Sequence, residues 1–190
     1  MRSMSRLPER IPPGPIRLTY EDYVDLPDDG RRYEILDGEL EVSPAPAPKH
    51  QAVSRNLLWI VHGHVRERGL GSVYYAPIDV ILTHHDVVQP DLVVVTDPSQ
   101  VSERAVEGAP TLVVEVLSPS TTAYDRTTKA QRYAALGVAH YWIADPTGRT
   151  VECFRLHEAQ YTSVASFDAT DTLTHPDFPG LRFDLAAVWR

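Results

Sequence analysis

Apolar residues in the second half of the chain are grouped into short runs that end at proline or glycine. In residues 110–121, PTLVVEVLSPST, five apolar residues surround Glu115, and a Ser-Pro-Ser stops the run. A run rich in β-branched residues and bounded by prolines is typical of a buried strand. Residues 140–145, HYWIAD, have the same character, and residues 122–136 between them predict a helix that closes at Gly137. A strand, a helix and a strand of these lengths form a crossover unit, so we expect the two strands to be parallel neighbours.

A hairpin is predicted near the start of the chain. Residues 31–42, RRYEILDGELEV, surround Asp37 and Gly38, the residue pair that a two-residue type I′ turn prefers. In that register Glu34 faces Glu41, and two like charges directly opposite each other are mildly destabilising. Either both acids are solvated or a cation lies near them.

The remaining pattern predicts two further helices and five strands. Thr19 is a suitable N-cap for a short helix before the hairpin. A longer helix over residues 49–68 has apolar residues at helical spacing and ends at Gly69. Strands are predicted over residues 72–82, 87–95, 150–156, 161–166 and 180–185, the last as an edge strand after a hairpin. This order of elements indicates an α/β fold with a mixed central β-sheet flanked by helices.

The composition fits one globular domain. The 190 residues suffice for one well-buried core, so we expect a single domain over residues 19–190 after a flexible, proline-rich N-terminal arm over residues 1–18. No apolar run approaches the roughly 18 residues of a membrane span, so no membrane partner is expected. The first residues contain no apolar secretory segment, and the single cysteine, Cys153, excludes an internal disulfide. Both features agree with a cytoplasmic protein.

The net charge limits how the chain can meet nucleic acid. Eighteen Lys and Arg against 26 Asp and Glu give a charge of −8, whereas a protein that binds nucleic acid through its overall field is usually basic. Binding would therefore depend on local basic clusters. The candidates are Arg31-Arg32, Lys49-His50-Arg55, Arg66-Arg68 and Arg126-Lys129-Arg132. Taken alone, each is most simply a solvated surface cluster.

Glu115 needs an explanation, because an ionised carboxylate taken out of water costs several kcal/mol unless a cation meets it. Asp91 follows Pro90 at the start of an earlier strand-like run. Carboxylates directly opposite each other on adjacent strands lie about 5 Å apart at Cβ. They would repel each other unless a hard divalent cation such as Mg²⁺ binds both. Asp91 could instead be a turn residue, and Glu115 an edge residue with its carboxylate in water.

Lys129 is the third candidate. It lies four residues beyond Asp125, so the simplest interpretation is an exposed i,i+4 ion pair. However, eight helical residues advance about 12 Å, and a helix that packs back across the sheet would return the ammonium toward Glu115. Arg132 and Tyr133 lie one turn further on, where they could flank the ammonium or a phosphate.

Other candidate sites are weaker. His62 and His64 point apart on the predicted helix, so we expect solvated histidines rather than a zinc site. The same applies to His84 and His85, which are adjacent in a turn. Cys153 has no paired histidine and is predicted to be a buried, inert thiol. The sequence contains no Walker loop, GxGxxG or GxSxG motif.

Four stretches together resemble one nuclease family. They are YEILDGELEVSPAPAPKH (33–50), QPDLVVV (89–95), VVEVLSPST (113–121) and YDRTTKAQRYAALGVAHYWIADP (124–146). In order and spacing they resemble the Uma-type restriction endonuclease family, a branch of the PD-(D/E)XK nuclease superfamily. The resemblance implies a restriction-endonuclease-like core and a metal-dependent endonuclease that hydrolyses DNA. It also implies Mg²⁺, with Mn²⁺ as a substitute, and a homodimer, since a double-strand cut needs two centres.

The resemblance also implies roles for individual residues. Asp91 and Glu115 would be the paired catalytic acids that bind the metal, and the carbonyl of Val116 would be a further ligand. Glu34 would match an extra acid near the start of the core. Lys129 would be the catalytic lysine that orients or deprotonates the attacking water or stabilises the developing charge.

The position of this lysine departs from the wider superfamily, in which a lysine stands two residues after the second acid. Leu117 occupies that place here, and the Uma-type pattern resembles one in which the lysine has migrated to the next helix as Lys129. A second function therefore stays open, a catalytically silent nuclease-like fold that serves as an oligomerising or partner-binding module. In that case Glu115 and Lys129 would form only a buried ion pair. Hydrolysis of RNA or of a small phosphodiester is a third possibility.

Overall fold

The computed structural model describes residues 16–190. The predicted arm over residues 1–18 therefore lies outside the described residues except for its last three positions. The described helices and strands are, in chain order, α1 (Tyr20–Val24), β1 (Arg32–Leu36), β2 (Glu39–Ser43), α2 (Pro48–Glu67), β3 (Ser72–Tyr75), β4 (Val80–Thr83), β5 (Asp86–Val88), β6 (Leu92–Val95), β7 (Val106–Glu107), β8 (Leu112–Val116), α3 (Thr122–Tyr124), α4 (Ala130–Ala135), β9 (His140–Asp145), β10 (Thr150–His157), β11 (Gln160–Phe167), β12 (Thr172–Thr174) and β13 (Arg182–Asp184).

Six strands form the central sheet, in the order β11-β10-β9-β8-β6-β3. β8 and β9 are parallel, with Glu115 opposite Ile143, and the other pairs in this sheet are antiparallel. The predicted crossover unit is therefore confirmed, and the architecture is the mixed α/β type that the sequence predicts.

Five shorter strands form a second sheet, in the order β2-β1-β5-β4-β7. The hairpin of β1 and β2 turns at Asp37 and Gly38, whose φ angles are 54° and 82°. A type I′ turn requires positive φ at both of its central residues, which explains the Asp-Gly pair. The register places Glu34 opposite Glu41, as predicted.

Two predicted strands are each divided between the two sheets. Residues 72–82 contain β3 and β4, and residues 87–95 contain parts of β5 and all of β6, with breaks next to Pro77 and Pro90. Proline has no amide hydrogen to donate to a strand ladder, so neither run continues as one central strand. This division leaves Asp91 immediately before β6.

The prediction for the C-terminal residues left out one strand, β12. β10 and β11 form the expected hairpin. Residues 180–185 contain β13, but β13 pairs with β12 in a separate two-stranded sheet rather than at the edge of the central sheet. β12 has only three residues, of which only Leu173 is buried, so its alternation is too short to be recognised in the sequence.

Helices cover both faces of the central sheet. On one face Leu57 of α2 shares a buried cluster with Trp142, and on the other face Tyr133 of α4 shares a buried cluster with Val113. Because side chains alternate along a strand, Glu115 points to the same face as Val113 and toward α4. Among residues 16–190, none of the helices combines the length and the apolar character that a bilayer crossing requires.

The helical segment between β8 and β9 is not α-helical throughout. A π-helical turn, Asp125–Lys129, joins α3 to α4. The segment ends at Gly137, which has a φ of 88°, a conformation that glycine adopts without steric cost. A π turn is rare and often occurs at functional sites. This one carries Asp125 and Lys129, both of which are buried.

Candidate active site

A small cavity opens at the end of the central sheet where β8 finishes and β6 begins. Its volume is about 180 Å³, and residues 43–47 and 118–121 form part of its wall. The ionisable side chains that line it are Arg32, Glu34, His50, Asp91, Glu115, Asp125 and Lys129. All of them are buried or largely buried. The cavity therefore concentrates charged groups away from bulk water.

Asp91 and Glu115 lie on the same face of the sheet at this end. β6 and β8 are antiparallel with Leu92 opposite Val114, so the next position along the same register brings Asp91 opposite Glu115. Residues directly opposite each other point to the same side of a sheet. The backbone N–H of Val116 also donates to Oδ2 of Asp91 at 2.8 Å. The two acids are thus neighbours, as the sequence analysis expected.

Lys129 reaches the acids from the π-helical turn. Its Nζ lies 2.9 Å from Oε2 of Glu34 and 3.1 Å from Oε1 of Glu115. The distance to Oδ1 of Asp125 is longer, 3.9 Å. One turn further on, Tyr133 donates its hydroxyl to the same Oε1 of Glu115 at 2.9 Å. The interpretation of Lys129 as an exposed i,i+4 residue was therefore wrong, because the ammonium is buried among three carboxylates.

Burial and charge oppose each other at these residues. Burial, together with the neighbouring acids, raises the pKa of Glu115 to about 7 in spite of Lys129. Burial also disfavours the ionised form of Glu34, but Lys129 and Arg32 outweigh it and hold the pKa of Glu34 below its ordinary value. Burial disfavours the ammonium of Lys129, yet the glutamates outweigh it and raise the pKa of Lys129. Lys129 is thus enough to hold the pKa of Glu34 low but not that of Glu115, which lacks a full counter-charge.

Two basic residues that the sequence analysis treated as surface residues lie in the cavity. Nη1 of Arg32 is 3.4 Å from Oδ1 of Asp91, and Nε2 of His50 is 3.2 Å from Oδ2. Burial alone would raise the pKa of Asp91, but these contacts hold it below its ordinary value. Arg32 had a signal in the sequence, since it stands two residues before Glu34 and so shares its face of β1. His50 had none, because only the tertiary fold brings the first turn of α2 to Asp91.

The donor set of the cavity fits a divalent cation. The carboxylates that line it are Glu34, Asp91, Glu115 and Asp125, and the permanent cations are Arg32 and Lys129. Four potential negative charges thus face two positive ones, and this imbalance adds to burial in raising the pKa of Glu115. Mg²⁺ binds hard carboxylate oxygens and carries the two charges that would restore the balance.

Three other residues singled out in the sequence lie outside this cavity. Arg132 does not flank Lys129, because it donates to both oxygens of buried Asp86 at 2.7 Å each. His64 is only 6% exposed, so the expectation of a solvated side chain was wrong for it. Cys153 is buried as predicted, and burial raises the pKa of its thiol, which agrees with an inert residue.

Comparison with known proteins finds a matching family model, a similar sequence and a similar structure. A family model described as "Uma2: Putative restriction endonuclease" matches residues 20–186. The uncharacterized protein slr1290 of Synechocystis sp. is 26% identical over 177 residues, which cover 92% of each chain. The crystal structure of a "putative nuclease belonging to DUF820" from Anabaena variabilis has a TM-score of 0.72 at 20% identity, over 90% of this chain and 97% of that one. The match to this crystal structure shows that the two chains share a fold.

Proposed function

Because the chain belongs to the Uma2 family, whose model carries the description "Putative restriction endonuclease", we propose that it is a Mg²⁺-dependent endonuclease that hydrolyses phosphodiester bonds in DNA. One observation carries the proposal. Asp91, Glu115 and Lys129 are far apart in the chain but line one buried cavity together with Glu34. Paired acids that can bind a metal, with an ammonium beside them, are suited to metal-assisted hydrolysis of a phosphodiester.

Asp91 and Glu115 are the residues that would hold the metal, with Glu34 and the carbonyl of Val116 as further ligands. A divalent ion bound there would lower the pKa of a water molecule and offset the charge that develops on the phosphate. The protein holds the carboxylates in place through its own contacts. The Val116 amide fixes Asp91, and Tyr133 and Lys129 fix Glu115.

Lys129 acts in this mechanism as a hydrogen-bond donor. Its raised pKa keeps the ammonium protonated at neutral pH, and a protonated amine cannot accept a proton from water. From its place beside Glu115 it would orient the attacking water and stabilise negative charge on the phosphate. This assignment excludes deprotonation of the water and keeps the two other roles that the sequence analysis left open for Lys129.

Two groups at the cavity suit the phosphate of a nucleic-acid strand. Arg32 is the least buried of the charged side chains there, at 21% exposure, and Glu34 and Asp91 keep its pKa high although burial opposes this. α2 begins beside the cavity, and its N-cap, Ala47, has no side-chain hydrogen bond. The first amides of a helix have no intrahelical acceptor and attract anions. Arg32 and the start of α2 would therefore hold the substrate phosphate.

A homodimer would bring two such cavities to a duplex, one for each strand. Since the net charge is −8, recognition of DNA would depend on local cations rather than on the overall field. Conversion of plasmid to the linear form, as well as to the nicked form, is the expected signature of paired centres.

Cleavage of supercoiled plasmid tests the proposal. The wild type should cleave with Mg²⁺ or Mn²⁺ and not after chelation. Glu115→Gln and Lys129→Ala should each lower the rate by at least about 100-fold, the usual contribution of one acid–base or charge-stabilising group. Glu103→Gln and Arg182→Ala are matched controls, because they remove exposed charges of the same sign outside the cavity. Both controls should cleave like the wild type.

Two outcomes would reject the enzyme in favour of a catalytically silent module. The first is no cleavage with either metal, and the second is cleavage that survives both Glu115→Gln and Lys129→Ala. Circular dichroism of each variant separates loss of chemistry from loss of fold. Parallel assays with RNA and with bis(p-nitrophenyl) phosphate distinguish DNA from the other phosphodiester substrates.

A further inference from the structure

A second group of potential metal ligands lies away from the acids. His140 is the first residue of β9, and His175 and Asp177 follow β12. One ligand atom from each of the three residues lies within 4.8 Å of the others. His140 stands three positions before Ile143, the partner of Glu115. The odd separation puts His140 on the opposite face of the central sheet from the acids.

The two imidazoles of this group are buried and carry unpaired nitrogens. The side chain of His175 is 0% exposed and that of His140 is 12% exposed. Nδ1 of His140 and Nε2 of His175 are buried without a hydrogen-bond partner. Of these two atoms, Nδ1 of His140 is the one that lies 3.8 Å from Oδ2 of Asp177, and such an unpaired buried atom is uncommon enough to call for an explanation.

We propose that His140, His175 and Asp177 form a binding site for a divalent transition metal of the Zn²⁺ class. Two imidazoles and one carboxylate are a donor set that zinc accepts with one position left open, whereas Mg²⁺ prefers oxygen ligands alone. Nδ1 of each imidazole lies 3.8 Å from Oδ2 of Asp177. Ligand atoms around a tetrahedral zinc are about 3.4 Å apart, so the three ligand atoms, which lie within 4.8 Å of one another, must move closer together when the metal binds.

Arg155 competes with the metal for Asp177. Its guanidinium donates to both carboxylate oxygens at 2.6 Å each, but the Arg155 side chain is 44% exposed. An exposed ion pair contributes little stability, so a metal can displace it. Coordination through Nδ1 of His175 would also replace the hydrogen bond that this atom accepts from the Asp177 amide. The bound metal would fasten the segment after β12 to the start of β9.

Titration of the full chain with Zn²⁺, by calorimetry and by thermal unfolding, tests the site. Wild-type protein should bind one Zn²⁺ at this site. His140→Gln and His175→Gln should each lower the affinity for this Zn²⁺ by at least about tenfold, since even changes to residues that contact a metal ligand lower metal affinity by about 10–100-fold. Arg155→Met should tighten binding by up to about fivefold, because it releases Asp177. His157→Gln, an exposed histidine of β10, is the matched control and should bind like the wild type.

Any of three results would overturn the site. They are no Zn²⁺ binding by the wild type, equal binding by the wild type and both histidine variants, and weaker binding by Arg155→Met. If His175→Gln does not fold, His140→Gln and Arg155→Met still decide the question. Zn²⁺ taken up by the acids is counted separately, because it persists in both histidine variants. Plasmid cleavage with Mg²⁺ should be unchanged in His140→Gln, so this test is independent of the nuclease proposal.

Discussion

Replacing Lys129 with methionine measures how strongly the cavity depends on one ammonium. Methionine keeps most of the apolar stem but leaves Glu34 and Glu115 buried without the cation that lies 2.9 and 3.1 Å from them. Removing one partner of a buried ion pair costs about 3–5 kcal/mol, because the charge that remains stays desolvated. We expect Lys129→Met to lower the free energy of unfolding by about that amount near neutral pH, and the Tm by about 6–20 °C for a chain of this length.

The loss should also depend on pH. In the wild type the pKa of Glu34 lies below its ordinary value, so Glu34 stabilises the fold above its unfolded-state pKa and loses this contribution as the pH falls through its native pKa. Without Lys129, burial dominates and raises the pKa of Glu34 and further raises that of Glu115. The variant therefore regains stability as the pH falls and these carboxyl groups take up protons. The difference between wild type and variant should be larger at about pH 8 than at about pH 5.

Urea unfolding followed by circular dichroism, at both pH values, supplies the comparison. The double variant Lys129→Met/Glu34→Gln should recover part of the loss, because it leaves fewer uncompensated charges. Arg182→Ala removes an exposed cation and should change the free energy of unfolding by less than about 0.5 kcal/mol. A loss for Lys129→Met below about 1 kcal/mol at both pH values, the range of an exposed pair, would refute the reasoning. Equal losses at the two pH values, or no recovery in the double variant, would refute it as well.

Two further substitutions and one chemical probe test other features of the structure. Ala47→Asp should cap α2 and raise the free energy of unfolding by about 0.5–2 kcal/mol. It should also raise the KM for plasmid, because a carboxylate then occupies the proposed phosphate position. An unchanged KM would contradict the role of the start of α2. Tyr133→Phe removes the hydroxyl that donates to Glu115 and should lower the free energy of unfolding by about 1–3 kcal/mol in urea; no change would mean that this hydrogen bond is not formed in solution. The thiol of Cys153 should react with an aromatic disulfide reagent only as fast as the protein unfolds, because it is fully buried, and rapid labelling of the folded protein would contradict that burial.

Local chemistry was enough to predict some elements and not others. Asp37 and Gly38 specified the hairpin and its register, since few residue pairs tolerate positive φ at both positions. The strand, helix and strand lengths around Glu115 specified the parallel pair. By contrast, Pro77 and Pro90 divide runs whose apolar pattern looks continuous. The pattern alone does not say that the two parts belong to different sheets.

The acids of the cavity were easier to predict than the groups around them. Asp91 and Glu115 become neighbours through a single strand pairing, and both lie in apolar runs that predict a strand. Whether the ammonium of Lys129 reaches Glu115 depends on how the helical segment after β8 packs. The sequence was compatible with this contact but did not predict it uniquely. His50 reaches Asp91 only because of where α2 packs, and nothing in the sequence of α2 predicts that contact. A charged residue whose buried partner is far away in the sequence therefore resembles a surface residue until the partner is known.

Because of the π-helical turn, the orientation of Lys129 depends on the number of residues that precede it in the turn. Successive residues of an α-helix are about 100° apart around its axis, so deleting any one residue between Asp125 and Lys129 would restore regular pitch and rotate everything downstream by a comparable angle. Lys129 and Tyr133 would then both lose their hydrogen bonds to the same oxygen of Glu115. A single-codon deletion at this place would disable both contacts at once, although it removes neither side chain.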